Sequence, residues 1–203
     1  LLDTYAFQCS GPLCLGGGPD RTRAFWCHKK TCDGITYAPL TEGHPFTACT
    51  VCCAVPPAKT AKLWTMMEEK LRNKQDLSVE QVQGLRGNKS GLHEAHYFYF
   101  WALYDIALDL ATHSPEDACI VFGELVRLLE TYQVTPTVHH ENVMIFDRMG
   151  QVQAKMGDFD AAQKSFARAH SESTMACGGI APITMKLHNF SPRSLDDLLN
   201  HYR

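Results

Sequence analysis

Residues 27 to 53 read CHKKTCDGITYAPLTEGHPFTACTVCC, and the four cysteines Cys27, Cys32, Cys49 and Cys52 within them decide how the chain is read. Four residues separate Cys27 from Cys32, two separate Cys49 from Cys52, and sixteen lie between the pairs. Each pair can close a tight turn whose sulfurs converge, so two such turns can share one ion with zinc-ribbon spacing. Four thiolates leave zinc no open coordination position, which predicts a structural ion and not a catalytic one. Asp33-Gly34 follows the first pair, where backbone amides commonly turn toward thiolates.

The remaining cysteines agree with metal ligation better than with disulfides. There are nine in all, an odd number, and seven of them (9, 14, 27, 32, 49, 52, 53) crowd the first quarter of the chain. A secreted disulfide scaffold spreads an even set over a short chain, whereas close pairs in a reducing setting favour a metal. The start, LLDTYAFQCSG, lacks the layout of a secretion signal, so a reducing compartment, cytoplasmic or nuclear, is expected. Cys9 and Cys14 form a third pair with no fourth ligand assigned; Cys53, His28 or a group outside the chain could complete it.

Composition excludes several partners. Of 203 residues 45% are hydrophobic and 20% charged, enough for one core plus a small cysteine-rich module. The formal net charge is −3, from 19 basic and 22 acidic residues well mixed along the chain. Neither nucleic acid nor an acidic membrane surface is an expected partner. No apolar run approaches the roughly 20 residues needed to cross a bilayer.

At Pro56-Pro57 the texture changes, and from Ala58 onward apolar residues recur at helical spacing. Leu63, Met66, Met67 and Leu71 predict one apolar face on a helix over 58–74, with a weaker helix over 78–85. The aromatic stretch 93–113 reads as a buried helix. Ser114-Pro115-Glu116-Asp117 is a capping box that opens a helix to about Tyr132. Pro136 opens the next, to about Met156, Asp158 caps another to near Ser173, and Ser191-Pro192 starts a last one. Short connections make such helices pack antiparallel on their neighbours.

Residues 143–176 fit the 34-residue tetratricopeptide pattern at Phe146, Gly150, Gly157, Phe159, Ala162, Phe166 and Ala169. A degenerate copy precedes it at Ala102, Ala118, Phe122 and Leu125. Asp147 and Gln151 stand where a groove that clamps a peptide carboxylate offers lysine and asparagine. The expected fold is mainly α, a small cysteine-rich zinc module followed by an antiparallel α-hairpin, tetratricopeptide-like domain.

The order Tyr5-Ala6-Phe7-Gln8-Cys9, then Cys14, then further cysteine pairs and a helical repeat domain, resembles the C-terminal half of SET-and-MYND-type protein lysine methyltransferases. The likeness covers almost the whole chain. It implies a post-SET-like cysteine segment over 1–26, a zinc-ribbon-like module over 27–55 and a tetratricopeptide-like domain over 56–203. In that family a Tyr-x-Phe-x-Cys-x-Cys-x2-Cys segment follows the catalytic SET domain and binds zinc with one cysteine from that domain. Tyr5 would then line the channel for the substrate lysine, Phe7 would lie against the adenine of S-adenosylmethionine, and Cys9 and Cys14 would bind the first zinc. The middle cysteine of the family pattern falls on Gly11, which leaves that site a ligand short.

The resemblance implies methyl transfer from S-adenosylmethionine to a lysine of a protein substrate, catalysed by positioning the amine in an aromatic channel. The SET core's Asn-His and Gly-Glu-Glu segments would precede residue 1, so this chain alone is expected to be inactive. The helical domain would govern access and offer a surface to another protein. The alternative is a non-catalytic zinc-ribbon and helical-repeat scaffold for protein–protein interaction. A third reading, an enzyme using Cys119 or Cys177 with His113 or His170, sets a reactive thiol against the ordinary burial of cysteine in apolar helices.

Overall fold

A two-stranded antiparallel hairpin, not anticipated from the sequence, organises the N-terminal part. The computed structural model describes residues 18–40, 43–73, 78–86, 91–132 and 140–202. Strand β1 (Pro19–Trp26) pairs with β2 (Ile35–Pro39) from Trp26 opposite Ile35 to Pro19 opposite Pro39. The register shifts between Asp20 and Ala24, so β1 carries extra residues that place Arg23 out of the ladder. On the other edge of β1, the Trp26 amide donates to the Gly91 carbonyl at 2.9 Å and the His93 amide to the Ala24 carbonyl at 3.0 Å.

Helices follow. They are α1 (Ala58–Arg72), α2 (Val79–Arg86), α3 (Tyr97–His113), α4 (Pro115–Tyr132), α5 (His140–Lys155), α6 (Phe159–Cys177), α7 (Pro182–Leu187) and α8 (Leu195–Tyr202). The described part is mainly helical. It divides into two compact units, one running to Tyr99 and the other from Phe100. The break in texture at Pro56-Pro57 is therefore a change of secondary structure inside the first unit.

Helix α1 starts after Pro57, whose extended backbone suits the cap position, and ends with Lys70 and Arg72 near the negative end of the helix dipole. Its inward face agrees with the expected one at Leu71, and in part at Met67, but not at Leu63 and Met66. Leu63 and Met66 are 49% and 55% exposed, while Trp64, Glu68 and Leu71 are buried at spacings of four and three residues. The reason lies in β1. Phe25 stacks on Trp64 with centroids 4.8 Å apart, and Phe46 closes the group at 5.5 Å from Phe25 and 5.4 Å from Trp64. Aromatic pairs of this kind contribute about 0.5–1.5 kcal/mol each beyond their area.

Glu68 turns inward because two partners await it. Arg23 donates from Nε at 2.7 Å and Nη2 at 2.6 Å to the two carboxylate oxygens, and His96 Nε2 lies 2.9 Å from Oε1. Burial alone would raise the Glu68 carboxyl, but Arg23 and His96 outweigh it and hold it below its ordinary value. Burial dominates at His96 and holds the ring below the usual histidine range despite Glu68. A neutral ring beside an ionised carboxylate carries its proton on Nε2 and donates it to Glu68. Removing Arg23 would leave the buried Glu68 carboxylate without its countercharge, at a cost of about 3–5 kcal/mol.

In the second unit Asp158 caps α6 as the sequence indicates: the Ala161 amide donates to Asp158 Oδ1 at 3.0 Å, after Gly157 at φ +82°. At the start of α4 the Ser114 hydroxyl donates instead to the Asp117 carboxylate at 2.6 Å, a bond between side chains and not to a helix amide. Helix α4 buries Ala118, Val121, Phe122, Leu125, Leu128 and Leu129. Helices α5 and α6 form an antiparallel pair. Gly150 faces Phe166 so closely that an added Cβ would stand 2.9 Å from the ring, and Ser165 Oγ donates to Gln153 at 2.7 Å. Phe146, Ala162, Phe166 and Ala169 share a core with Leu187 and Leu198, against which Phe159, Phe190 and Tyr202 pack. Helix α6 continues past Ser173 to Cys177, and α7, with Pro182 in its first turn, is an element the sequence reading omits. The expected start at Pro136 lies outside the described residues.

The Glu68 network has a pH signature. An unfolded histidine gains its proton near pH 6.5, whereas buried His96 resists it, so stability falls as pH drops below about 6.5. The Glu68 contribution is present above about pH 4.3 and is lost as pH falls through its lower folded value. We expect the His96 slope to reach at most about 1.4 kcal/mol per pH unit. His96→Gln keeps a donor toward Glu68 without a titrating ring and should remove that slope between about pH 6.5 and 5. Urea midpoints read by tryptophan fluorescence check this; equal slopes in both proteins contradict it.

Candidate metal centre

Cys27 follows the last residue of β1, and Cys32 closes the turn that leads into β2. The turn is locked by backbone bonds, from the Cys32 amide to the Lys29 carbonyl and from the Cys27 amide to the Gly34 carbonyl, both 2.9 Å. Cys49 and Cys52 sit on a second turn, closed from the Cys53 amide to the Cys49 carbonyl at 3.1 Å and from the Cys49 amide to the Ala54 carbonyl at 2.9 Å. Threonines tie this turn to β2. Thr50 Oγ1 accepts from the Ile35 amide and Thr47 Oγ1 from the Tyr37 amide, each at 2.9 Å.

The two turns bring all four sulfurs within 4.8 Å of one another. The short approaches run between the turns: Cys27 to Cys52 and Cys32 to Cys49 are each 3.6 Å. All four are free thiols, far outside the roughly 2.05 Å of a disulfide. Sulfurs bound to one tetrahedral zinc at about 2.3 Å stand about 3.8 Å apart. The observed spacing therefore matches a set able to hold a metal ion.

Backbone amides point at three of the four sulfurs. The Lys29 amide donates to Cys27 Sγ and the Val51 amide to Cys49 Sγ, both at 3.4 Å, and the Gly34 amide points at Cys32. Each donor lies two residues beyond its cysteine, the pattern of a metal knuckle. Without an ion Cys27, Cys32 and Cys49 influence one another's protonation. Burial pushes Cys27 up to about 12, and the neighbouring thiols add to the rise. Burial also acts to raise Cys49, but the amides of Cys52 and Val51 with the Cys27 and Cys32 thiols bring it down to about 7. At Cys32 the Gly34 amide lowers the thiol, yet burial and the Cys49 and Cys52 thiols leave it raised. Binding a cation must then displace thiol protons, so affinity rises with pH.

Glycine at 34 is a requirement of this packing. A Cβ there would stand 2.3 Å from Cys49 Sγ and 3.0 Å from Val51 Cβ. Nothing in the spacing of the cysteines points to that approach, although Asp-Gly after a cysteine pair marks a turn. Cys53, beside the cluster, is exposed and adopts φ +55°, and it is not among the four converging sulfurs.

Other sequence candidates fall elsewhere. Tyr5, Phe7, Cys9 and Cys14 lie outside the described residues. Cys119 is half-buried on α4, and burial raises its thiol, the opposite of an activated nucleophile. Cys177 is exposed at the end of α6. Asp147 accepts from the Tyr202 hydroxyl and from Gln151 Nε2, the latter at 2.9 Å, so these two side chains of α5 are engaged within the fold. No helix among the described residues is long and apolar enough to cross a membrane. No protein-family model and no curated protein matches the chain.

Gly34→Ala should weaken metal retention by about 10- to 100-fold, as disturbances just outside a ligand shell do. Gly123→Ala, where an added Cβ meets nothing within 4 Å, should leave it unchanged. Competition with a chromogenic chelator measures both; wild-type affinity in Gly34→Ala contradicts the packing.

Proposed function

We propose that this chain is the zinc-binding and helical C-terminal part of a SET-and-MYND-type protein lysine methyltransferase, with structural Zn2+ held by Cys27, Cys32, Cys49 and Cys52. The observation that carries the zinc is the convergence of four free thiols, two pairs 3.6 Å apart, under amides of the following turns. A closed thiolate shell stabilises a fold and has no vacancy for substrate. That suits a module which props the wall of an active site and does no chemistry itself.

The methyltransferase assignment rests on the Tyr5-x-Phe7-x-Cys9 order together with the helical organisation that follows. Zinc at Cys27, Cys32, Cys49 and Cys52 holds the turns of the hairpin. Tyr5 would line the lysine channel and Phe7 would lie on the S-adenosylmethionine adenine, while Cys9 and Cys14 would join a ligand of the SET core. Catalysis would come from alignment of a lysine amine with the methyl group, supplied by that core.

The helical part supports a role in holding protein. The α5–α6 pair places Gly150, Ala162 and Ala169 where two helices approach closely and fills the space beside them with Phe146, Phe159 and Phe166, in keeping with a tetratricopeptide-like hairpin. The alternative is a non-catalytic zinc and helical-repeat scaffold. It is favoured by the fact that the Cys27 set is complete within the chain.

Methyl transfer separates the two. The isolated chain should transfer no methyl group from S-adenosylmethionine, whereas the complete gene product should modify protein lysines. There, Tyr5→Phe should lower the rate by roughly 10- to 100-fold through misalignment. A complete gene product that binds no S-adenosylmethionine by calorimetry contradicts the enzyme and leaves the scaffold.

A further inference from the structure

We propose that the four-thiol centre is a redox switch, in which hydrogen peroxide replaces the bound ion by two disulfides, Cys27–Cys52 and Cys32–Cys49, that tie the same two turns. Its starting state rests on the zinc reading above. Four cysteines allow three pairings. One of them has both of its sulfur pairs 3.6 Å apart, in a set that spans up to 4.8 Å. Closing each pair to the roughly 2.05 Å of a disulfide brings its sulfurs together by about 1.5 Å, a movement of side chains and not of strands.

Exposure sets the order of events. Cys27, Cys32 and Cys49 are buried, whereas Cys52 is half-exposed, so an oxidant from solvent meets Cys52 first. A zinc-bound sulfur is a thiolate, and its electron pair attacks a peroxide oxygen. The S–O bond forms, the O–O bond breaks, hydroxide leaves, and Cys52 becomes a sulfenic acid. The Cys27 thiolate then attacks that sulfur, a second hydroxide leaves, and the Cys27–Cys52 bond closes. The same two steps join Cys32 to Cys49. Four thiolates thereby lose four electrons, two hydrogen peroxide molecules become four hydroxide ions, and Zn2+ departs because no thiolate remains to bind it.

Cys53, exposed beside Cys52, is a poor competitor. Adjacent Cα atoms stand about 3.8 Å apart across a trans peptide, short of the roughly 4.4 Å at which ordinary disulfides begin. Both new bonds run from the Cys27–Cys32 turn to the Cys49–Cys52 turn. The hairpin therefore stays tied as the ion leaves, whereas bonds within each turn would free one turn from the other.

The full chain, loaded with one equivalent of Zn2+, is titrated with hydrogen peroxide beside a chromogenic chelator. The zinc should be released, and a dithiol reductant should restore its uptake. Cleavage after Lys30, Glu42 and Lys59 puts Cys27, Cys32 and the Cys49-to-Cys53 stretch on three peptides. Oxidised protein should yield all three joined, with fragmentation between Cys49 and Cys52 showing Cys32 on Cys49 and Cys27 on Cys52. Cys53→Ser should release zinc and pair as wild type does. Release with any other pairing, or zinc retained while Cys53 is oxidised, overturns the switch and leaves the metal centre standing. A chain that holds no zinc before peroxide is added overturns both.

Discussion

Four sulfurs drawn to one point join two turns whose own packing is cysteine alone. The cluster of Cys27, Cys32 and Cys49, with Cys52 against it, contains no aliphatic or aromatic side chain. A two-stranded hairpin is at best marginal in water, and its turns carry no core of their own. A structural zinc contributes about 10–16 kcal/mol in small metal-bound modules, enough to order such turns. Cys27 lies two residues from Phe25, whose ring stacks on Trp64 midway along α1, so β1 links the thiol turns to that helix.

The rest of the first unit follows from that anchored strand. The irregularity between Asp20 and Ala24 sets Arg23 against Glu68, and His96 completes the group. Aromatic stacking and this buried network decide which face of α1 turns inward. The second unit relies on ordinary helix packing. A glycine lies against a phenylalanine ring where α5 and α6 cross, and Tyr202 from α8 reaches Asp147 on α5.

What could be read from the sequence was chemistry confined to neighbours in the chain. Cysteine spacing announces two turns with convergent sulfurs. Asp158 announces a helix start, because a cap bonds an amide two or three residues away, and Pro115 another, because its fixed φ suits the first helical position. Features set by distant partners were hidden. Leu63 and Met66 look like the inner face of α1, but Phe25 and Arg23, about forty residues earlier, select Trp64 and Glu68 instead. In β2 the small residues Thr36 and Ala38 are buried while Ile35 and Tyr37 are half-exposed, which inverts the pattern hydrophobicity suggests. Gly34 is demanded by a sulfur fifteen residues further on, and nothing local announces it.

The four converging thiols are a set able to hold a metal ion. X-ray absorption at the zinc edge, on protein in which Cys9 and Cys14 are replaced by serine, tests that capacity most directly. At one equivalent of zinc per chain, a shell of four sulfurs at about 2.3 Å, with no nitrogen or oxygen neighbour, is the predicted result. A zinc shell dominated by nitrogen and oxygen, or protein that retains no zinc after dialysis, would contradict it.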